Sequence, residues 1–282
     1  MYSIYYVGAK NNEKINLCQW PYMVTGGDIF DGSFSEVEND DHIQDFEKKI
    51  ITKKINIEIA RTGLITLPEA VDYLESVTEK DIADVSPGKL YVGNNYMKCW
   101  IRGTTKGRWI QDLNQISDEL EIISDYPYWI TEEKFSFLKQ GTESSEKMEW
   151  LEFPYDTPFE YSKVRNLQYI NNSNYTASGF KMIIYGPCIN PLIRIAGHVY
   201  ELRTTLYDGE YAVIDSSTRY AKDRKIVKVK NDGVEENLFN SKNNESSIWE
   251  KIPAGLSIVS WNGAFGFDII LFNERGVPRW IS

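Results

Sequence analysis

The chain has 282 residues, 42% hydrophobic and 26% charged, an ordinary mix for a folded protein and too apolar for one that is disordered throughout. Its formal net charge is −10, so it lacks the basic surface that neutralises phosphates, and sequence-independent binding of nucleic acid is disfavoured. The charge is uneven: residues 1–145 hold 15 Lys+Arg against 24 Asp+Glu, and residues 146–282 hold 16 against 17.

This length suffices for a sizeable core and suggests two domains. Aromatic residues make up 13%, including 18 Tyr and 8 Trp, which favours a β-rich protein that binds partners. The opening Met-Tyr-Ser-Ile-Tyr-Tyr-Val-Gly has neither a charged start nor a small-residue cleavage site, and no apolar run approaches a bilayer span. Neither a secretory signal nor membrane insertion is expected, and synthesis is expected in the cytoplasm. Cys18, Cys99 and Cys188 are odd in number and far apart, so reduced, mostly buried thiols are expected there.

In chain order, a strand from Tyr2 to Val7 leads through Asn11-Asn12 into a second that ends near Trp20-Pro21-Tyr22. The acidic stretch Glu36 to Glu47 reads as an exposed loop or short helix. Ile55, Ile57 and Ile59 alternate with Asn56 and Glu58, as in a half-buried strand. One helix is expected near 67–83. Thr66-Leu67-Pro68-Glu69 has the spacing of a capping box, and Leu67, Ala70, Val71, Leu74 and Val77 line one face. Two strands, Leu90 to Val92 and Tyr96 to Ile101, flank Gly93-Asn94-Asn95 as a hairpin, and another follows around Leu120 to Ile123.

The polar run Glu132 to Glu149 sits where a linker belongs. The expected division is a domain over 1–140, a linker over 141–152 and a second domain over 153–282. From Phe153 onward short apolar runs recur between turn signals at Asn171-Asn172, Gly186-Pro187, Gly197-His198, Asp208-Gly209, Asp232-Gly233 and Asn262-Gly263, the pattern of a sandwich. Ile248 to Trp280 reads as one β-hairpin turning at Asn262-Gly263. Phe265, Phe267, Ile269 and Leu271 lie on one face of its second strand, with Ala264, Gly266, Asp268, Ile270 and Phe272 on the other.

Candidate chemistry is sparse. Asp268 interrupts an apolar strand and is the best acid–base candidate, set against a structural bond to backbone or to an arginine such as Arg275, or a solvent-facing place at an edge. Asp208 with Glu210 reads rather as a turn, Asp40-Asp41 as a solvated charge run, and His42 and His198 as loop residues. No metal-ligand spacing, serine-nucleophile elbow or phosphate-binding glycine loop occurs, so no catalytic residue, metal or cofactor is expected. Trp261-Asn262 at a hairpin tip would suit a sugar platform, which keeps carbohydrate binding as the alternative function.

Several motifs, taken in order, resemble the distal tail proteins of bacteriophages with long non-contractile tails. They are Trp20-Pro21-Tyr22, the run Tyr126-Pro127-Tyr128-Trp129, Gly209-Glu210-Tyr211 with Asp215, and Asn237-Leu238-Phe239. Pro253 and Gly255 follow, then Trp261-Asn262-Gly263, Phe265-Gly266-Phe267-Asp268, and Glu274-Arg275 leading to Trp280. Val277, which precedes Pro278, departs from the family, whose members tend to carry an acidic residue at that place.

The resemblance implies a mainly β fold: a β-rich α+β N-terminal ring domain with one helix, and a C-terminal galectin-like β-sandwich. It also implies a structural virion protein, not an enzyme, whose six copies form a homo-hexameric ring at the distal end of the tail tube. The implied partners are the tail tube protein, the tape-measure protein, the tail-tip hub or tail-associated lysin, and a receptor-binding protein. DNA would pass through the ring without specific binding. An acidic N-terminal half would give that channel a repulsive wall. Strand edges around Tyr2 to Val7 and Ile55 to Ile59 are candidates for pairing between copies.

Overall fold

Two hydrophobic cores organise the chain in a computed structural model that describes residues 3–110, 114–140, 168–216 and 224–279. Each core belongs to one unit: Met1–Thr131 with Glu274–Ser282, and Glu132–Asn273. Both are mainly β, with one α-helix among the described residues.

The first unit contains β1 (Ile4–Val7), β2 (Lys14–Asn16), β3 (Cys18–Gln19), β4 (Tyr22–Gly27), β5 (Ser35–Asn39), β6 (His42–Glu47), β7 (Ile51–Ala60), α1 (Leu67–Ala83), β8 (Gly88–Val92), β9 (Asn95–Ile110) and β10 (Gln115–Ser124), and it holds the start of β11 (Trp129–Phe137). One antiparallel sheet runs β3-β4-β7-β10-β9 and another runs β2-β1-β8-β9, sharing the long β9. In β7 the alternation places Ile55, Ile57 and Ile59 in the core and Asn56 and Glu58 outside it. The helix buries Ala70, Leu74 and Val77 against the sheets.

Local signals set the ends of α1. The Thr66 hydroxyl accepts from the Glu69 amide, and the Glu69 carboxylate accepts from the Thr66 amide at 2.8 Å, so the predicted capping box forms with Pro68 inside the first turn. Gly93, at φ 59°, turns β8 into β9 as expected, although β9 runs on to Ile110.

Three expectations change here. Glu36 to Glu47 is neither loop nor helix but the β5–β6 hairpin, turned by Asp40 and Asp41 at φ 49° and 62°, the left-handed pair a tight hairpin needs. β1 pairs with both β2 and β8, and β7 with both β4 and β10, so neither has a free edge to offer another copy. Glu132 to Phe137 continues β11 with alternating burial instead of opening a linker. The expected linker 141–152 and the start of the second domain at 153 lie outside the described residues.

The second unit contains most of β11, then β12 (Gln168–Asn172), β13 (Gly179–Tyr185), β14 (Cys188–Ile189), β15 (Leu192–Ile195), β16 (His198–Glu201), β17 (Thr205–Leu206), β18 (Tyr211–Asp215), β19 (Lys225–Val229), β20 (Glu235–Asn237), β21 (Gly255–Trp261) and β22 (Phe267–Arg275). A sheet ordered β20-β19-β18-β13-β22-β11 faces a four-stranded sheet ordered β12-β21-β15-β16, and β14 and β17 form a small ribbon. Met182, Ile214, Phe267 and Ile269 from one sheet meet Ile193, Tyr200, Val259 and Trp261 from the other in one core. That is a β-sandwich.

The hairpin expected over Ile248 to Trp280 is not formed. β21 and β22 belong to opposite sheets, and only Gly263 of the Asn262-Gly263 pair has positive φ, at 75°. A type I′ turn needs both residues in that region. Here the chain arches across the core, held by the Trp261 indole N–H donating to the Phe265 carbonyl at 2.9 Å.

Candidate functional site

Asp268 is buried on β22, where its Oδ2 accepts from Lys134 Nζ at 2.7 Å and from the Tyr185 hydroxyl at 2.9 Å. Burial opposes its ionisation, but hydrogen bonds from Lys134, Ser136 and Tyr185 together hold its pKa below the usual carboxylate range. Its cationic partner is Lys134. An acid held ionised and fully bonded is a cross-strand tie, not a proton shuttle.

Asp208-Gly209 is a turn, with Gly209 at φ 79°, and Glu210 behind it is buried. Its Oε2 accepts from Lys228 Nζ at 2.7 Å and from the Tyr207 amide at 2.8 Å. The Lys228 bond, then the amide, keep its carboxyl below the ordinary range. His198 Nε2 lies 2.7 Å from the Ser247 carbonyl and fastens the polar loop after Leu238. Among the described residues no three His, Cys, Asp or Glu side chains gather as a metal site, and no helix is long and apolar enough to cross a membrane.

The motif residues take up structural positions. Trp129 is in the first core, and Trp261, Phe265 and Phe267 are in the second. Trp261 is 7% exposed, with its ring edge-on to Phe137 and Phe267, so it is no sugar platform. Tyr126 and Glu274, 148 positions apart, are brought together: the tyrosine hydroxyl donates to the carboxylate. Pro127 is buried, and Tyr211 and Asp215 open and close β18. Asn237 accepts from the Phe239 amide at 2.8 Å, Leu238 enters the core, and Phe239 is exposed. The Pro253 carbonyl accepts from Asn172, Gly255 begins β21 at φ 83°, and the Gly266 carbonyl accepts from the Tyr185 amide. Asn262 caps the arch by accepting from the Ala264 amide, and Arg275 ends β22. Trp280 lies outside the described residues.

What remains available to a partner is surface, and in the first unit two features stand out. The β5–β6 hairpin is exposed along its length and pairs with no other strand among the described residues. The second feature is an open cleft of about 240 Å³ beside the cis Trp20–Pro21 bond and the start of α1. Its walls include the exposed Trp20, Ile65 and Tyr73, and Lys14 and Glu69 stand on its rim. Sequence reading missed both features. The hairpin signal was the Asp40-Asp41 pair; the cleft had none, since it joins β3–β4 to a helix some fifty residues later.

No protein-family model and no curated protein matches the chain. Among solved structures it is similar over its whole length to a chain of the phage P2 baseplate in its activated conformation with Ca, at 12% identity and TM-score 0.65, covering 99% of this chain and 100% of that one. The same baseplate with Sr gives 11% identity at the same coverage and TM-score. SPP1 Dit (gp 19.1), from the hub adsorption apparatus of phages infecting Gram-positive hosts, matches at 7% identity and TM-score 0.58, over 98% of this chain and 99% of that one. The fold is therefore Dit-like across both units.

Proposed function

We propose that this chain is a distal tail protein, a structural component of a phage tail tip. In this reading six copies close a ring at the distal end of the tail tube. The ring joins the tube to the tail-tip hub or tail-associated lysin and to receptor-binding proteins, the tape-measure protein passes through its centre, and DNA follows without specific binding. The observation that carries the reading is full-length agreement in fold with a baseplate chain and with Dit, covering both units.

Two further observations support it. The strongest acid–base candidates, Asp268 and Glu210, are each tied into ion pairs that hold strands together, which fits a structural role. The acidic excess of residues 1–145 fits a channel wall that repels phosphates. Gold-labelled antibody against the chain tests the assignment on intact particles. Label is expected at the tail end remote from the head; label along the tube, on the head or nowhere would contradict it.

A further inference from the structure

We propose that copies of this chain join by docking the β5–β6 hairpin of one copy into the Trp20–Tyr73 cleft of the next. This rests on the ring reading above and names the surfaces that would close the ring.

Residues 35–47 carry Glu36, Glu38, Asp40, Asp41, Asp45 and Glu47 and no Lys or Arg. Glu36 pairs with Phe46 and Glu38 with Ile43, while the register skips Gln44. Directly opposed residues of an antiparallel pair share a face, and Glu36 and Glu38 share one by period two. Phe46 and Ile43, each 56% exposed, therefore stand on one face with two carboxylates beside them. A lone two-stranded hairpin with exposed Phe46 and Ile43 is marginal in water on its own and gains by being covered.

The root of this arm is fixed. Lys53 Nζ donates to the Asp28 and Asp31 carbonyls at 2.7 and 2.6 Å, and Lys48 Nζ donates to the Gly276 carbonyl at 2.8 Å. A rooted arm presents its face in a set direction, which lowers the entropy cost of docking.

The cleft has the complementary chemistry. Trp20, Ile65 and Tyr73 offer apolar walls, and Lys14 stands on the rim. Lys14 and Lys89 both pair with Val7, and Lys89 pairs with Lys98, so three lysines lie in one cross-strand row on the face turned away from the core. Lys14 Nζ lies over the Tyr5 ring at 3.8 Å and Lys89 Nζ over the Tyr96 ring at 4.4 Å, and none of the three lysines joins an ion pair among the described residues. Glu69 also lines the cleft, but it is engaged with Thr66 in the helix cap. A basic row beside an apolar cleft is unusual on so acidic a half-chain, and it matches a face of two apolar and two acidic side chains.

Topology gives the contact its direction. The arm leaves where Asp28 bonds Lys54 at the start of β7, and the cleft lies where the Ala60 amide bonds the Pro21 carbonyl at its end. Lys54 and Ala60 are six residues apart along β7, so at about 3.3 Å per residue these points stand roughly 20 Å apart. An arm at one end and its receptor at the other make a head-to-tail interface, the kind that repeats around a rotation axis until it closes.

The test uses three full-length chains in sedimentation velocity and native mass spectrometry: wild type, an arm variant (Ile43→Ser with Phe46→Ser) and a cleft variant (Trp20→Ala with Tyr73→Ser). All changed residues are exposed, so circular dichroism should match wild type. Wild type is expected to assemble, each variant alone to lose association by at least tenfold, and a mixture of the two variants to stop at one-to-one dimers. That last result is specific to head-to-tail docking, because the mixture retains one intact arm and one intact cleft per pair. Rings unaffected by both variants would overturn this inference and leave the tail reading standing. A wild type that stays monomeric at its highest soluble concentration would also overturn it, and the labelled particles would still decide the tail assignment.

Discussion

Asp81 is a buried polar residue that ties α1 to β1 and the turn after it in the first unit. It sits in the last turn of α1, 2% exposed, where its Oδ2 accepts from the Tyr6 hydroxyl at 2.6 Å and its Oδ1 from the Ala9 amide at 2.8 Å. Tyr6 is fully buried, and burial first, with Cys99 and Asp81 adding to it, pushes its pKa far above the ordinary range, so the hydroxyl stays a donor. The site leaves no room for rearrangement, since a Cβ at Gly88 would stand 2.2 Å from that hydroxyl. Asp81→Ala strands two buried donors whose bonds to the carboxylate are each worth about 1.5–3 kcal/mol, so a loss of about 3–6 kcal/mol is expected. At about 2 kcal/mol per molar urea, the unfolding midpoint of this unit should fall by about 2 M. Tyr6→Phe removes one bond and its donor together and should cost about 1–2 kcal/mol. Because the second unit has its own core, its transition should not move. A loss below about 1 kcal/mol for Asp81→Ala, or an equal shift in both units, would refute the reasoning.

Phe267 is fully buried, stacked on Phe137 at 4.6 Å and edge-on to Trp261 at 5.2 Å, so Phe267→Ala should cost about 3–5 kcal/mol in the second unit by denaturant titration. The pKa of Asp268 is depressed in the folded state, so its stabilisation is present above the ordinary carboxylate pKa and is lost as pH falls through the lower native value. Asp268→Asn should therefore be less stable near neutrality and lose less on acidification, as read from melting temperature against pH. Burial raises the Cys99 thiol to about 12 and the Cys188 thiol to about 11, so at pH 8 Ellman's reagent should label Cys99 only after unfolding.

What the sequence revealed was what local physics decides. The capping box, the apolar stripe of α1 and the isoleucine alternation of β7 are each set within a few residues, and each formed as read. The Asn262-Gly263 signal misled because a turn type follows from whether its flanking strands pair. Here the Trp261 ring and the Phe265 carbonyl hold an arch between sheets instead. Asp40-Asp41 was the better hairpin turn, hidden by charges that read as a solvated loop. The supposed edges of β1 and β7 are filled by β8 and β10, whose paired residues stand 55 to 88 positions away. For the same reason nothing local could show that Tyr126 meets Glu274, or that Trp20 shares a cleft with Tyr73. The whole-chain resemblance survived these errors because it rested on the order of motifs rather than on any one pairing.

The most direct measurement of the central claim is the solution mass of the purified chain, by native mass spectrometry with negative-stain images of any large species. A ring of six chains, each of 32.6 kDa, with an open centre lined by the first unit, is the predicted result. A closed dimer built on the second unit, or a ring lined by that unit, would contradict it.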